Sequence, residues 1–447
     1  MSDLIAPARQ AVTVTGRGWW FLSLLGLVYM FNFVDRTAIS VVGEAIRRDL
    51  RLSDLQLGLL GGLSFSLFYA ALGIPLARLA ERRSRVGIIA AVTAIWSVMT
   101  ALSGMAGSFA QLLVCRMGVG IGEAGFTPAL VSMLSDRFRA DRRAAAFSLI
   151  ALGVPIGAAV AATVGGLVAK LYGWRMAFLA LGVPGLVLAL LVIATIPEPS
   201  RLDAADRVAP PFGAVLRLLA RSPAFLYLTG ASGLVGLVGF GLNLFMIPLL
   251  VRRYGLDLAQ AGGIFAFSSS LAIAIGSLAG GLVADALGRR DVRWFGWAPA
   301  LLMAVALPLY LLALLQPDWR AFMGLMFLAS GALYAFLPAI MTVTQRLVEA
   351  RMRASAAALH AFGQTVAGLG IGSVLLGSLS DRFAAAAFAG DYRSACVGKG
   401  AQPLAAGCAK AAATGLQHAM LAAGPALLLA IALYLLAARA LPREIRA

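Results

Sequence analysis

The segment ARLAERRSRV at residues 77–86 returns in altered form as GLVADALGRRD at residues 281–291. Aligned at Glu81 and Asp285, the copies lie 204 residues apart and set Ser84 opposite Gly288 and Arg85 opposite Arg289. A repeat at this offset argues for two related halves joined side by side. An acidic residue at a helix end, with arginines close by, clamps neighbouring helices electrostatically, and glycine permits a tight turn and close approach. Glu81, Arg82, Arg85, Asp285, Arg289 and Arg290 are therefore the candidate conformational-gating residues.

Each copy of the repeat sits between apolar runs, and the whole chain shares that character. Of its 447 residues 61% are hydrophobic and 13% charged, with 49 glycines and a mean hydropathy of +0.88. A soluble chain of this length cannot hide so much apolar surface in its cores, so the solvent is lipid. At about 20 residues per crossing the chain has room for about a dozen helices, and the apolar runs are too long for barrel strands. Crossings are expected near 19–42, 55–79, 86–106, 109–133, 144–169 and 174–196, then 223–250, 259–284, 293–315, 320–344, 355–379 and 414–438. The expected fold is an all-α polytopic membrane protein with twelve transmembrane helices in two pseudo-symmetric six-helix halves, 1–196 and 223–447. The linker 197–222, rich in proline and charge, cannot stay in hydrocarbon. Its end, PFGAVLRLLARSP, reads either as a plain connector or as an interfacial helix with Phe212, Val215, Leu216 and Leu219 on one side and Arg217 and Arg221 on the other.

The net charge of +17 arises from 37 basic and 20 acidic residues. In a soluble protein it would suggest nucleic acid, but here the basic residues fall in short segments between apolar runs, without a base-reading helix, so nucleic acid is excluded as a partner. Counting Lys and Arg on alternating sides gives 23 on the side holding both termini and 12 on the other. The positive-inside rule then places both termini in the cytoplasm, and an even number of crossings requires them to share a side. The first crossing has no small-residue cleavage site and reads as an uncleaved helix. Cys115 lies in an apolar run, whereas Cys396 and Cys408 share one polar loop on the outer side and are the possible disulfide.

The repeat resembles the signature of the major facilitator superfamily, G-x-L-A-D-R-x-G-R-[RK], between that family's second and third helices. Gly281, Asp285, Gly288, Arg289 and Arg290 match it well; in the first copy Ala77, Glu81 and Ser84 depart from it. Three further segments, YMFNFVDR at 29–36, RMGVGIGEAGFTPALVSMLSDRF at 116–138 and RASAAALHAFGQTVAGLGIGSVLLGSLSDR at 353–382, resemble its spinster-like branch. Asn32, Asp35 and Arg36 match that branch's first-helix pattern, and Arg116, Gly120, Gly122, Glu123 and Ala124 its fourth-helix pattern. The resemblance implies alternating access around a central cavity, driven by a gradient, in a multi-pass protein of the bacterial inner membrane. Animal members of the branch imply sphingolipid phosphates or lysolipids as substrates, while organic-anion branches with similar segments imply sugar acids or aromatic acids.

Charges inside crossings are costly and mark function or structural pairing. Asp35 lies roughly 24 Å along crossing 1 from the cytoplasm, and Arg116 and Glu123 lie roughly 10 and 21 Å along crossing 4 from outside, at about 1.5 Å per residue. Asp35 and Arg116 thus share a depth and form an expected pair, while Arg36, about 100° around its helix from Asp35, needs other neighbours or snorkels outward. Low dielectric favours a protonated carboxyl and a nearby arginine favours the carboxylate, so motion that separates Asp35 or Glu123 from an arginine exchanges a proton. These two are the candidate proton-coupling residues; the alternative is a structural ion pair. Arg116 and Arg36 suit a phosphate or carboxylate headgroup, and Asn32, Tyr29, Phe33, Phe65, Phe68, His360 and Gln364 complete the candidate substrate contacts. His360 and Gln364 read more readily as satisfied packing residues, and Asn243, Tyr334 and Ser268–Ser270 line a polar path or bond across helices. Two histidines, His360 and His418, cannot build a metal site, and no cofactor is expected. The glycines of GVGIGEAG, inside an apolar crossing with no preceding strand, pack helices rather than bind nucleotide. The sequence therefore points to a monomeric proton-coupled secondary transporter of an amphipathic anion such as a lysolipid, with small organic acids as the alternative substrates and a nontransporting sensor as the alternative of another class. It carries no nucleophile–base signature of an enzyme.

Overall fold

A computed structural model describes residues 16–138, 140–199, 212–349, 352–398 and 406–445. The described residues contain twelve helices long and apolar enough to span a membrane. The first six are α1 (Gly18–Leu50), α2 (Asp54–Gly73), α3 (Arg85–Ser103), α4 (Phe109–Arg137), α5 (Ala145–Tyr172) and α6 (Trp174–Thr195). The second six are α7 (Pro223–Tyr254), α8 (Leu258–Gly288), α9 (Trp294–Leu315), α10 (Trp319–Arg346), α11 (Ser355–Ala387) and α12 (Ala406–Glu444). The protein is thus all-α and polytopic, as its composition demands, because a backbone in hydrocarbon must satisfy its own polar groups.

Caps define where the helices start. Ser53 and Gln56 form a capping box at the start of α2, Ser84 and Ser108 accept from backbone N–H groups of α3 and α4, and Asp318 does so for α10. The turn between α5 and α6 is Gly173, with φ +86°, where a side chain would be strained. Small residues set the packing distance: a Cβ at Gly182 would meet the α3 backbone at 2.7 Å, and one at Gly280 the Ala335 carbonyl at 2.0 Å. Large apolar residues such as Phe267 and Leu190 stay exposed where lipid is the solvent.

The crossings run longer than their hydropathy alone suggested. The first continues past 42 to Leu50, and the last covers Ala406–Glu444 rather than 414–438. The extra two turns of α1 carry Glu44, Arg47 and Arg48, whose charges end a hydropathy window but leave the helical backbone intact. One apolar cluster, including Phe21, Val28, Phe65, Trp96 and Phe126, lies within the first six spans. A larger one fills the second six and crosses into the first through Val34, Val41, Val42 and Leu57. The crossing residues lie toward the end of the bundle opposite both termini, the far end.

At the termini end, Glu198 ties three elements together. Its carboxylate accepts from Ser84 Oγ (2.7 Å), the backbone N–H groups of Arg85 and Val86 (3.2 and 2.9 Å) and Arg85 Nε (2.8 Å), while Arg85 also pairs with Asp136 and donates to the Pro199 carbonyl. Of the gating candidates, Arg85 is thus buried in a clamp. Arg82, Arg289 and Arg290 are exposed, and the Glu81 and Asp285 side chains lie outside the described residues. Most of the expected linker, 200–211, also lies outside them. Its end, Phe212–Ala220, is helical and buries Val215 and Leu219 against Phe225, Val348 and Ala356, leaving Leu216 exposed at 47% rather than on the packed side. Across the same junction Glu444 accepts from Ser222 Oγ and the Ala224 N–H, closing the start of α7.

The hydrogen bonds to Glu198, led by Arg85, hold its carboxyl down to about 2 despite the opposing desolvation by burial. A depressed carboxyl stabilises the fold above its unfolded value near 4.5 and loses that effect as pH falls through about 2. Glu198→Gln is expected to lower Tm in detergent at pH 7 by about 2–4 °C, as for loss of a charge-assisted set in a bundle of about 200 residues. Melting curves recorded from pH 7 downward should show that deficit shrinking below about pH 4.5.

Candidate transport site

The four intramembrane charges converge inside the first six spans. Arg36 on α1 donates through Nε to Glu123 Oε2 on α4 at 2.5 Å. Its guanidinium lies over the rings of Phe33, Phe65 and Tyr69, at 5.1, 5.1 and 4.9 Å from their centroids. Phe65 and Tyr69, one turn apart on α2, stack on each other, and Tyr29 packs on Phe33 and Phe126. The Arg36 side chain keeps 27% of its surface exposed, whereas that of Glu123 has none. Asn32, Asp35 and Arg116 are each buried to 1%.

The expected side-chain pair of Asp35 with Arg116 does not form. Arg116 donates instead to the backbone carbonyls of Asp35 (3.4 Å) and Leu60 (3.3 Å), and Asp35 Oδ1 has no hydrogen-bond partner among the described residues. Depth was read correctly, but the direction of the side chains around α1 gives the carboxylate–arginine contact to Arg36 and Glu123. Arg36 accordingly turns to α4 and the aromatic cage rather than snorkelling outward. Asn32 Nδ2 and Glu123 Oε1 likewise lack partners among the described residues. Leu60 lies in a widened π-helical turn, Leu59–Leu63, where the regular i→i−4 ladder is interrupted.

His360 and Gln364 belong to α11, away from this cluster. His360 is fully buried and shares a 3.3 Å hydrogen bond between Nδ1 and Thr229 Oγ on α7; its Nε2 has no partner among the described residues. Gln364 packs toward Gly236 of α7. No group of three or more metal-ligating side chains exists among the described residues. Tyr69 was missed by the sequence reading, although its spacing from Phe65 was the available signal.

Sequence reasoning also missed a second charged cluster at the far end. Arg252 of α7 donates through Nε to Glu44 of α1 (2.7 Å) and through both terminal nitrogens to Asp54 at the start of α2 (2.8 Å each). Asp54 also faces Arg47 Nε at 3.1 Å and accepts from Ser380 Oγ of α11 at 2.6 Å. Asp381 receives the Asp54 and Leu55 N–H groups at 2.9 Å each. Lys170 pairs with Asp257 at 3.1 Å, and the Gln260 N–H, with Lys170 adding to it, holds the Asp257 carboxyl below its usual range. Further hydrogen bonds join the first and second six spans at this end, Arg47 to the Tyr392 hydroxyl and the Gly398 N–H to the Arg51 carbonyl. Backbones touch here too: a Cβ at Gly58, Gly62 or Gly377 would stand 2.3 Å from a carbonyl oxygen across the α2–α11 boundary. The far end is therefore sealed by charge and close backbone packing.

Twelve spans, buried charges beside an aromatic cage and a sealed far end define a polytopic carrier rather than an enzyme. The family model of the Major Facilitator Superfamily matches residues 25–371, and this chain belongs to that superfamily, in its spinster-like branch. An MFS-type efflux pump of Mycolicibacterium smegmatis is 34% identical over 365 residues, 82% of this chain and 85% of that protein. A crystal structure of a bacterial homolog of the human lysosomal transporter Spinster, inward-facing and unoccupied, superposes with TM-score 0.86 at 31% identity, over 97% of this chain and 99% of the other. Its inward-facing, occupied form gives 0.82 at 31% identity, over 96% and 98%. The protein is an MFS-type secondary transporter.

Removing one member of a buried charge set while its partners stay buried costs about 3–5 kcal/mol. Arg252→Ala, which takes the cation of the second six spans from Glu44 and Asp54 and leaves them only Arg47 and Arg48 of α1, is expected to open the far end, an energy of that size shifting a two-state equilibrium by about a hundredfold or more. Spin labels at exposed Tyr172 and Arg320 read this as a longer inter-label distance; a distance distribution identical to wild type would refute the role given to Arg252.

Proposed function

We propose that the protein is a proton-coupled carrier of amphipathic anions that works by alternating access, with the six-helix sets 1–196 and 223–447 moving against each other and 197–222 joining them. The observation that carries this reading is the asymmetric exposure of the Arg36–Glu123 pair: the cation is accessible and the carboxylate is sealed. An anion reaching Arg36 competes with Glu123 for the guanidinium. Glu123, left in low dielectric, then favours its protonated form, so anion binding and protonation reinforce each other. Asp35, without a partner on Oδ1 and within the field of Arg116, is the second proton-exchanging carboxyl, and Arg116 holds the backbone around it. Phe33, Phe65, Tyr69 and Tyr29 offer the apolar, polarisable wall that suits an acyl chain beside an anionic headgroup.

The greater count of basic residues on the termini side supports cytoplasmic termini in a bacterial inner membrane. The disulfide between Cys396 and Cys408 at the far end supports an oxidising, external compartment there. On this reading the far end is the outer gate, and the sealed form is inward-facing and works as a monomer. Glu81, Arg82, Arg85, Asp285, Arg289 and Arg290 act at the cytoplasmic end during the opposite half of the cycle.

Reconstituted vesicles loaded with a pH dye, offered lysolipids in one arm and sugar or aromatic acids in the other, test the reading. Asp35→Asn and Glu123→Gln are each expected to lower proton-coupled flux by about tenfold or more. Arg36→Lys keeps the charge but loses the planar donor fork, and is expected to raise KM for the anion. Coupled flux at the wild-type rate in both carboxyl variants would overturn the proton assignment, and movement of the small acids alone would overturn the lipid-like substrate.

A further inference from the structure

The segment Tyr392–Gly398, between α11 and α12, folds back onto the outer gate. Its short helix, Tyr392–Cys396, is capped by Asp391, and Tyr392, Cys396 and Cys408 are all buried with Ala384 and Ala411 in a small apolar cluster of their own. The Cys396–Cys408 disulfide ties the segment to the start of α12. Two contacts then cross to the first six spans. Arg47 donates to the Tyr392 hydroxyl at 3.2 Å, and the Gly398 N–H donates to the Arg51 carbonyl at 2.9 Å.

Both contacts land where the gate is built. Arg47 also faces Asp54, the carboxylate that Arg252 grips. Arg51 ends α1 in a left-handed conformation, φ +53°, with the Leu52 N–H returning to the Arg47 carbonyl. A bulky residue adopts that conformation at a cost that glycine would avoid. It turns the Arg51 carbonyl outward, where Gly398 meets it, itself at φ +88°. Two backbones in conformations that side chains disfavour are thus joined across the boundary between the moving bodies.

We infer that Tyr392–Gly398 is a disulfide-held latch on the outer gate: the Cys396–Cys408 bond fixes the segment so that Tyr392 and Gly398 engage α1 while the gate is closed, and breaking that bond favours opening. This rests on the alternating-access reading, with the far end as the outer gate. Tyr392 and Gly398 are positioning residues; they act through Arg47 and Arg51, not on the substrate.

Hydrogen exchange of the full-length protein in nanodiscs, followed by mass spectrometry, tests the latch. Dithiothreitol passes two electrons and two protons to the disulfide, yielding two protein thiols and its own cyclic disulfide. In wild type this is expected to speed exchange over residues 47–58 by about fivefold, as for loss of one or two hydrogen bonds from a local opening equilibrium. Cys396→Ser should reproduce the change without reductant and show no further response to it. Tyr392→Phe, with the disulfide intact, should give part of it. Unchanged exchange after the mass confirms two new thiols would overturn the latch, as would free Cys396 and Cys408 thiols in untreated protein. Should Cys396→Ser fail to fold, the reductant arm on folded wild type still decides. If Arg252→Ala speeds exchange over 47–58 and reduction does not, the latch alone fails; if neither does, the outer-gate reading fails with it.

Discussion

Arg252 donates three hydrogen bonds across the boundary between the two six-helix sets, one to Glu44 and two to Asp54, and the closed form of the carrier is organised around them. A guanidinium suits this position because its planar fork engages two carboxylates at once without losing its charge. The surrounding groups follow from the need to leave no buried lone pair idle. Ser380 and Arg47 take up the remaining capacity of Asp54, and Asp381 caps the exposed N–H groups at the start of α2. Since these groups come from α1, α2, α7 and α11, the seal exists only when both sets are in register.

The central cluster is less fully engaged. Asn32, Asp35 and Glu123 each retain a buried polar atom without a partner among the described residues, next to two arginines. Buried polar groups in a merely structural network are normally satisfied, and each one left unmade costs about 1–3 kcal/mol. On the proposed function, a site that takes up and releases protons and an anion has reason to keep capacity in reserve. The gate is not fully saturated either, since Arg47 Nε lacks a hydrogen-bond partner among the described residues, but its carboxylates are engaged by donors from both six-helix sets whereas Asp35 and Glu123 each keep an oxygen free.

Much of this was legible in the sequence, for identifiable reasons. Twelve crossings follow from hydropathy because lipid permits few alternatives, and Asp35, Arg36, Arg116 and Glu123 were conspicuous because charges are rare inside apolar runs. Their pairing was not legible. Axial depth comes from counting residues at a fixed rise, whereas side-chain direction depends on how each helix is rotated and packed, and that decided for Arg36–Glu123 over Asp35–Arg116. The gate was hidden for a different reason: Glu44, Arg47, Asp54 and Arg252 sit where hydropathy falls, so they read as loop charges although α1 and α7 continue through Glu44, Arg47 and Arg252 as helix and Asp54 opens α2.

The gate and the central site share one element, α2. Its first residue, Asp54, belongs to the gate, its widened turn at Leu59–Leu63 presents the Leu60 carbonyl to Arg116, and its next turns carry Phe65 and Tyr69 over Arg36. Along the same stretch Gly58 and Gly62 leave no room for a Cβ against α11. A π-helical turn holds an extra residue within the helix and loosens one hydrogen bond of the ladder, which frees a carbonyl for an outside donor. Arg116 supplies that donor and also grips the Asp35 backbone. On the proposed cycle, movement of α11 away from α2 removes the packing on one side of the widened turn while Arg116 holds the other. The position of α2 is therefore felt at the gate through Asp54 and at the buried carboxyls through Leu60, which is the physical continuity that coupling between the two requires.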